Sequence, residues 1–467
     1  MIFADLVFIY MFLPVNIGLY YICKNKTYRN LVLILFSLFF YSWGEPVWVC
    51  LLIFSSLVDF TCGLVIEKHR NRFMAKFAVF MSLLINLGLL GIFKYSGFFG
   101  ENINLLFGSS LPVMKFALPV GISFYTFQTI SYTVDVYRDK TEVQHSFLNF
   151  LMYVSLYFQL VAGPIVRYRD VAREIDSRQE NFSDFSKGLT RFCIGLTKKV
   201  MIANVAGKLS ETYLKAPEGS LTVLGAWFGA VLFTLQIYYD FSGYSDMAIG
   251  LGNMFGFHFL ENFNYPYIAK TASEFWRRWH ISLGNFFKDY VYIPLGGNRH
   301  HQILNLLVVW FLTGLWHGAS WNFIVWGLFY CVFIMIEKLI GEKNLKKVPS
   351  FIMHIYLLVI VIVGWMLFYF EDLSEGLHYI SVMFGNSGAL YNANDTIDFY
   401  NNVIWAFVAI LFSTPVVKFC ENKLVQKYEW IENTVSFILP IVNIILLILC
   451  TSFLTGQSYN PFLYYKF

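Results

Sequence analysis

Two histidines carry the chemistry that this sequence can offer. The first, His317, lies in "FLTGLWHGASWNFIVWG" (311–327), and no Asp, Glu, Lys or Arg occurs between Gln302 and Glu337. In an apolar stretch of that length the weak acids Tyr330 and Cys331 are its only titratable company. An ionisable side chain at membrane depth is a functional candidate by default. Desolvation disfavours the charged imidazole, and a neutral imidazole is what a general base requires. Gly314 and Gly318 flank it. They remove side-chain bulk, so that a second helix or a long thin substrate can approach closely. A histidine hydrogen-bonded across helices, with glycines for packing, is the alternative that the same pattern allows.

The second, His280, lies in "FWRRWHISL" (275–283). A helix through this stretch puts Arg277 and Trp276 on the face of His280, three and four residues away. Arg277 and Arg278 then point to different faces, one towards an anionic ligand and one towards lipid phosphates. An interfacial anchor of Trp and Arg has the same composition. The stretch continues as "FFKDYVYIPLGGNRHH" (286–301), where Pro294 and Gly296-Gly297 predict a helix end and a tight turn. A backbone break in a membrane protein belongs where it is buried or lines a wet cavity. Arg277, Trp279, Lys288, Asp289, Asn298 and Arg299 are therefore candidates for holding a phosphate-bearing, pantetheine-like donor at a tunnel mouth. His300-His301 reads as a surface pair, and no metal site is expected.

The elements that must position these residues are membrane helices. The 467 residues are 57% hydrophobic and 14% charged, against about 25% charged in soluble domains. This composition predicts an all-α polytopic membrane protein in contact with the lipid bilayer. The net charge of +4 is small, and no basic stripe or zinc-finger spacing appears, so nucleic acid is excluded as a partner. The seven cysteines form no CxxC pair and read as small buried hydrophobes. "MIFADLVFIYMFLPVN" reads as a retained first span.

Candidate apolar segments fall at 3–22, 30–43, 46–66, 77–97, 113–134, 146–163, 220–240, 243–258, 303–319, 321–340, 351–370, 402–420 and 434–455. They predict about eleven crossings, plus re-entrant or interfacial pieces, in one integral-membrane domain over 1–467. Basic residues after the first and third spans place those loops in the cytosol. The Arg-rich 167–188 then breaks strict alternation: either 146–163 enters and returns, or 184–200 lies flat on the membrane surface. In "YYDFSGYSDMAIGLG" (238–252), Asp246 needs a partner, and Arg277 or Arg278 is available. Ser, Thr and Gln in 118–138 are spaced as helix–helix glue. No GxSxG, HExxH, P-loop or GxGxxG motif occurs.

"EFWRRWHISLGNFFKDYVYIPLGGNR" followed by "FLTGLWHGASWNFIVWG" resembles the membrane-bound O-acyltransferase family, in particular its bacterial alginate O-acetyltransferase-like branch. "PVGISFYTFQTISYTVDVYR", "QLVAGPIVRYRD", "YYDFSGYSDMAIGLGNMFGFHFLENFNYPY" and "NPFLYYKF" are similar to that branch too. The resemblance implies a ring of tilted helices with a central tunnel, in the bacterial plasma membrane. His317 matches the family's defining buried histidine and His280 the second histidine of this branch. It implies an acetyl group taken from a cytosolic thioester, acetyl-CoA, with no bound cofactor, for O-acetylation of an extracytoplasmic polysaccharide. An extracytoplasmic partner transferase of the acetyltransferase/esterase type is expected to complete the transfer. The related alternative is D-alanyl transfer to teichoic acid from a carrier protein.

Overall fold

The computed structural model describes residues 1–467 except 115, 218, 387, 425–428, 457–459, 461 and 464–467. Of the closing "NPFLYYKF", only Asn460, Phe462 and Leu463 fall among the described residues. The described secondary structure is helical throughout. Among the described residues, five helices are long and apolar enough to cross a bilayer: Val49–Lys68, Phe73–Phe107, Trp321–Ile340, Ser350–Tyr369 and Phe437–Gly456. Phe8–Ile22 and Gln302–His317 are shorter apolar helices.

Contacts divide the chain into two compact units, Met1–Phe192 with Tyr244–Leu260, and Cys193–Gly243 with Glu261–Phe467. In the first unit, Val49–Lys68 packs on the helix starting at Phe73 and on Ile122–Tyr137. Asp59 is fully buried between them. Its carboxylate accepts from Asn86 Nδ2 at 2.7 Å, from Thr133 Oγ1 at 3.0 Å and from the Ser82 hydroxyl. Inside a bilayer each of these groups needs a protein partner, so the cluster ties three helices together. Thr133 thus acts as the interhelical glue expected of 118–138. Asp59, which the sequence reading passed over, is its acceptor.

The expected 146–163 segment is two short helices, Phe147–Ser155 and Tyr157–Leu160, broken at Leu156. The break leaves the Tyr157 N–H without a helical acceptor, and Ser37 Oγ receives it at 3.2 Å. Conversely, 220–240 and 243–258 are not separate segments: Val223–Met254 is one 32-residue helix. Its polar residues do not interrupt it because their side chains find partners. Asp240 pairs with Lys199 at 2.6 Å, and Asp246 pairs with Arg191 at 2.9 Å. Asp246 therefore has an ion-pair partner, as its setting demanded, but Arg191 supplies the charge in place of Arg277 or Arg278.

In the second unit, Gln302–His317 and Trp321–Ile340 form a close antiparallel hairpin. Glycines set the approach. A Cβ on Gly314 would meet the Phe323 carbonyl carbon at 3.0 Å and Ile324 Cα at 3.2 Å; a Cβ on Gly327 would collide with the Trp310 carbonyl oxygen. Trp321–Ile340 also packs on Ser350–Tyr369 and on the five-residue helix Ala272–Trp276. That short helix is tied down by the buried Glu337, whose carboxylate accepts the backbone N–H groups of Ala272 and Ser273. Thr271 Oγ1 accepts from the Glu274 N–H at 3.1 Å and completes the cap.

Candidate active site

His317 is the last residue of the Gln302–His317 helix, and it is buried. Gly318 continues in extended backbone, so the imidazole stands where the hairpin turns. Three aromatic rings surround it edge to face: Trp316 and Trp326 at 5.0 Å and Phe368 at 5.2 Å between centroids. His317 lines a narrow cavity with Trp279, Trp326, Trp365 and Phe368, and Ile237 and Leu463 complete its wall. The cavity leaves about 10 Å³ of room, enough for about one water. The Trp326 indole is fully buried, and its Nε1–H has no acceptor among the described residues. An unsatisfied buried donor costs roughly 1–3 kcal/mol.

Of the two explanations open for Gly314 and Gly318, the structure favours the close approach of a helix. Both glycines face Phe323 of the partner helix: the backbone approaches Gly314, and the Phe323 ring covers Gly318.

His280 is buried, yet it does not sit on a helix face. The continuous helix expected through 275–283 is broken. Ala272–Trp276 ends, a turn follows, and His280 adopts φ +45°, ψ +54° before Ile281–Phe287 begins. The cause is the neighbouring loop Glu261–Asn264, "ENFN". The Ile281 N–H donates to the Asn262 carbonyl at 2.9 Å, and the Asn264 N–H donates to the Arg278 carbonyl at 2.9 Å. These bonds draw the backbone out of the helical path. The Arg277/Trp276/His280 face read from helical spacing therefore does not exist.

Asn262 is completely buried, and its Oδ1 accepts from the Ser282 N–H at 3.2 Å and the Ser282 hydroxyl at 2.9 Å. A backbone N–H can only donate, so this atom is the amide oxygen. His280 Nδ1 lies 3.2 Å from the same oxygen. The arrangement favours the tautomer that carries its proton on Nδ1 and its lone pair on Nε2. Burial also pushes the His280 imidazole down to about 3, which keeps it neutral at ordinary pH. His280 is not among the residues lining the His317 cavity. The two histidines share a neighbour: the Trp316 ring is 5.9 Å from His280 and 5.0 Å from His317.

The structure separates the remaining candidates. Trp279 alone reaches the His317 cavity. Arg277, Lys288, Asn298 and Arg299 are exposed, and Asp289 is half-buried. Asn298 Oδ1 accepts from Tyr292 and Gln302 at 2.7 Å each, bracing the turn. Gly296 and Gly297 have φ of +111° and +57°, as their place in a tight turn requires. Buried Asn305 pins that turn through the Gly297 and His300 carbonyls, at 3.0 and 2.7 Å. His300 and His301 are exposed. Asn262, Glu337 and Asn305 thus position the region without having been singled out in the sequence. Each is a polar residue at the edge of an apolar run, and its partners are distant in sequence.

A sequence model of the membrane-bound O-acyltransferase family matches residues 123–377, which include both histidines. The chain is 39% identical to the probable alginate O-acetylase AlgI of Pseudomonas aeruginosa, over 82% of this chain and 75% of that protein. It is 31% identical to the peptidoglycan O-acetyltransferase of Helicobacter pylori, over 100% of this chain and 98% of that protein. With the teichoic acid D-alanyltransferase of Streptococcus thermophilus it shares 24% identity, over 73% of this chain and 84% of that protein. The chain is a multi-pass membrane enzyme, and it belongs to the membrane-bound O-acyltransferase family.

Proposed function

We propose that this enzyme takes an acetyl group from a cytosolic thioester, acetyl-CoA, for O-acetylation of an extracytoplasmic cell-envelope polysaccharide, through a partner transferase. Its place is the bacterial plasma membrane. The observation that carries the reading is His317: a buried imidazole lining a cavity of about one water's volume. The names of the relatives that act on alginate and peptidoglycan support acetyl as the group and a polymer as the final acceptor.

In this reading His317 is the general base. The acceptor hydroxyl gives its proton to the imidazole as its oxygen bonds to the thioester carbonyl carbon. The carbonyl oxygen gains negative charge as that bond forms. The C–S bond then breaks, and the departing thiolate takes the proton from the imidazolium. General-base assistance supplies about 10²–10⁴-fold, and positioning in the cavity supplies the rest. His280, held by Asn262 with its lone pair on Nε2, orients the donor or relays the proton. Arg277, Lys288, Asp289, Asn298 and Arg299 are proposed to hold the donor's polar end, and Trp279 its acyl end.

The test is NMR of the purified envelope polymer from cells carrying wild type or His317→Ala, at matched membrane expression. Loss of the O-acetyl signal in the variant is expected. Unchanged O-acetyl with loss of D-alanine esters would assign the enzyme to D-alanyl transfer. No change in either ester would remove His317 from the reaction.

A further inference from the structure

One wall residue of the His317 cavity, Leu463, is far in sequence from the others and is held through its backbone. Leu463 is buried, and its backbone N–H donates to Asp240 Oδ2 at 2.9 Å. Asp240 Oδ1 pairs with Lys199 Nζ at 2.6 Å, and these two side chains are only 2% and 3% exposed. Lys199 Nζ also lies 5.9 Å from the centre of the Phe462 ring. One residue group earlier, Asn204 Nδ2 donates to Asn460 Oδ1 at 3.1 Å. A buried ion pair is a poor device for stability alone, because desolvating both charges offsets their attraction. What this pair achieves is position: it grips the backbone at Leu463 and holds that leucine against the cavity.

The remaining room, about 10 Å³, is close to that of one water or one methyl group. The other wall residues include three tryptophans and a phenylalanine, locked by ring contacts with one another: Trp279–Trp365 at 4.8 Å, Trp326–Phe368 at 5.2 Å and Trp365–Phe368 at 5.8 Å. Leu463 and Ile237 are the aliphatic wall members, whose truncation enlarges the cavity without breaking that cluster, and of the two Leu463 is the one gripped by the buried ion pair. We propose that Leu463, fixed by the Asp240–Lys199 pair, sets the size of the acyl group that the enzyme accepts and confines it to two carbons. The inference rests on the acyltransfer reading of His317 given above.

Discrimination by a close-fitting apolar wall is worth about 10–200-fold per methylene. Membrane vesicles with the cytosolic face outward, carrying the full chain, are supplied with acetyl-CoA, propionyl-CoA or butyryl-CoA. Acyl esters formed on the endogenous acceptor are measured by mass spectrometry. Wild type is expected to prefer acetyl strongly. Leu463→Ala is expected to lower the acetyl-to-butyryl rate ratio by at least about 10-fold, through a gain with butyryl-CoA that misfolding cannot mimic. Leu463→Val is expected to shift the propionyl ratio in the same direction by a smaller step, and it decides the matter if Leu463→Ala is inactive with every donor. Asp240→Asn, which loosens the grip, is expected to relax selectivity as well. Ratios equal to wild type in both Leu463 variants overturn the inference and leave the role of His317 intact. Ester formation from none of the three donors by wild type overturns the acyltransfer reading, and this inference with it.

Discussion

Replacing Gly314 by alanine tests whether the helix hairpin, as distinct from its side chains, aims His317. The new methyl group would stand 3.0 Å from the Phe323 carbonyl carbon and 3.2 Å from Ile324 Cα, with the Phe323 carbonyl oxygen nearer still. Carbon pairs rest at about 3.5–4.0 Å. The obstacle is backbone, so no rotamer change relieves it. The two helices must separate by roughly 0.5–1 Å, or turn about their contact, and overpacking of this kind costs about 1–3 kcal/mol. His317 lies three residues beyond, at the end of the same helix, so the displacement is delivered to the imidazole. A misplacement of about 1 Å in a reacting group lowers rate by about 10²-fold. The assay is the initial rate of O-acetyl formation in membranes containing equal amounts of folded enzyme, scored by thermal stability in detergent. Gly88→Ala is the control, since a Cβ there meets nothing within 4 Å. The expected result is a loss near 10²-fold for Gly314→Ala and none for Gly88→Ala. Wild-type rates in Gly314→Ala would refute the claim that the hairpin's close approach positions the base.

Two further outcomes follow from the geometry. Asn262→Ala removes the oxygen that holds His280 Nδ1 and leaves the Ser282 N–H without its acceptor. If the His280 tautomer matters, kcat falls with little change in KM, by up to the 10²–10⁴-fold range of general acid–base assistance. Asn262→Asp, which keeps an acceptor at the same place, is expected to recover much of the rate with its pH profile shifted to higher pH; equal losses in both variants would make Asn262 a packing residue only. Outside the spanning helices, partial burial pulls the His258 pKa down, but hydrogen bonds and charge from Glu174 (2.8 Å) and Asp184 (3.4 Å) outweigh it, and the value lies above the usual imidazole range. A raised folded pKa means that this contact contributes fully below the ordinary value of about 6.5 and is lost as pH rises through the folded value. Hydrogen exchange in the segments around 174–184 and 258 should quicken over that rise, and Glu174→Gln should flatten the response. His258 is half exposed, so the effect is local and small.

Much of the site was legible in the chain because its strongest signals are local. His317, in a stretch free of Asp, Glu, Lys and Arg and flanked by glycines, stands out as a candidate base whatever the fold around it. The spans 321–340 and 351–370 emerge within one residue of the observed helices, because unbroken apolar runs of that length have few other solutions. The Gly296-Gly297 turn is local for the same reason: positive φ favours glycine.

What sequence periodicity could not supply were contacts made at long range. Helical spacing put Arg277 and His280 on one face, but the break between them is imposed by Asn262, eighteen residues upstream of His280. The polar run at 238–246 looked like an interruption and is helix, because Lys199 and Arg191 neutralise its carboxylates from other parts of the chain. Asp59 was hidden because a carboxylate within an apolar run has meaning only once Ser82, Asn86 and Thr133 are seen around it. The sequence by itself determined the class, a membrane-embedded acyltransferase, and singled out His317 as the candidate base, since composition and motif need no partner to be read. Only the tertiary structure decided which rings enclose that histidine, how His280 is turned and where the cavity wall ends. Those features depend on hydrogen bonds and ion pairs whose two halves lie far apart in the chain, and no local spacing encodes them.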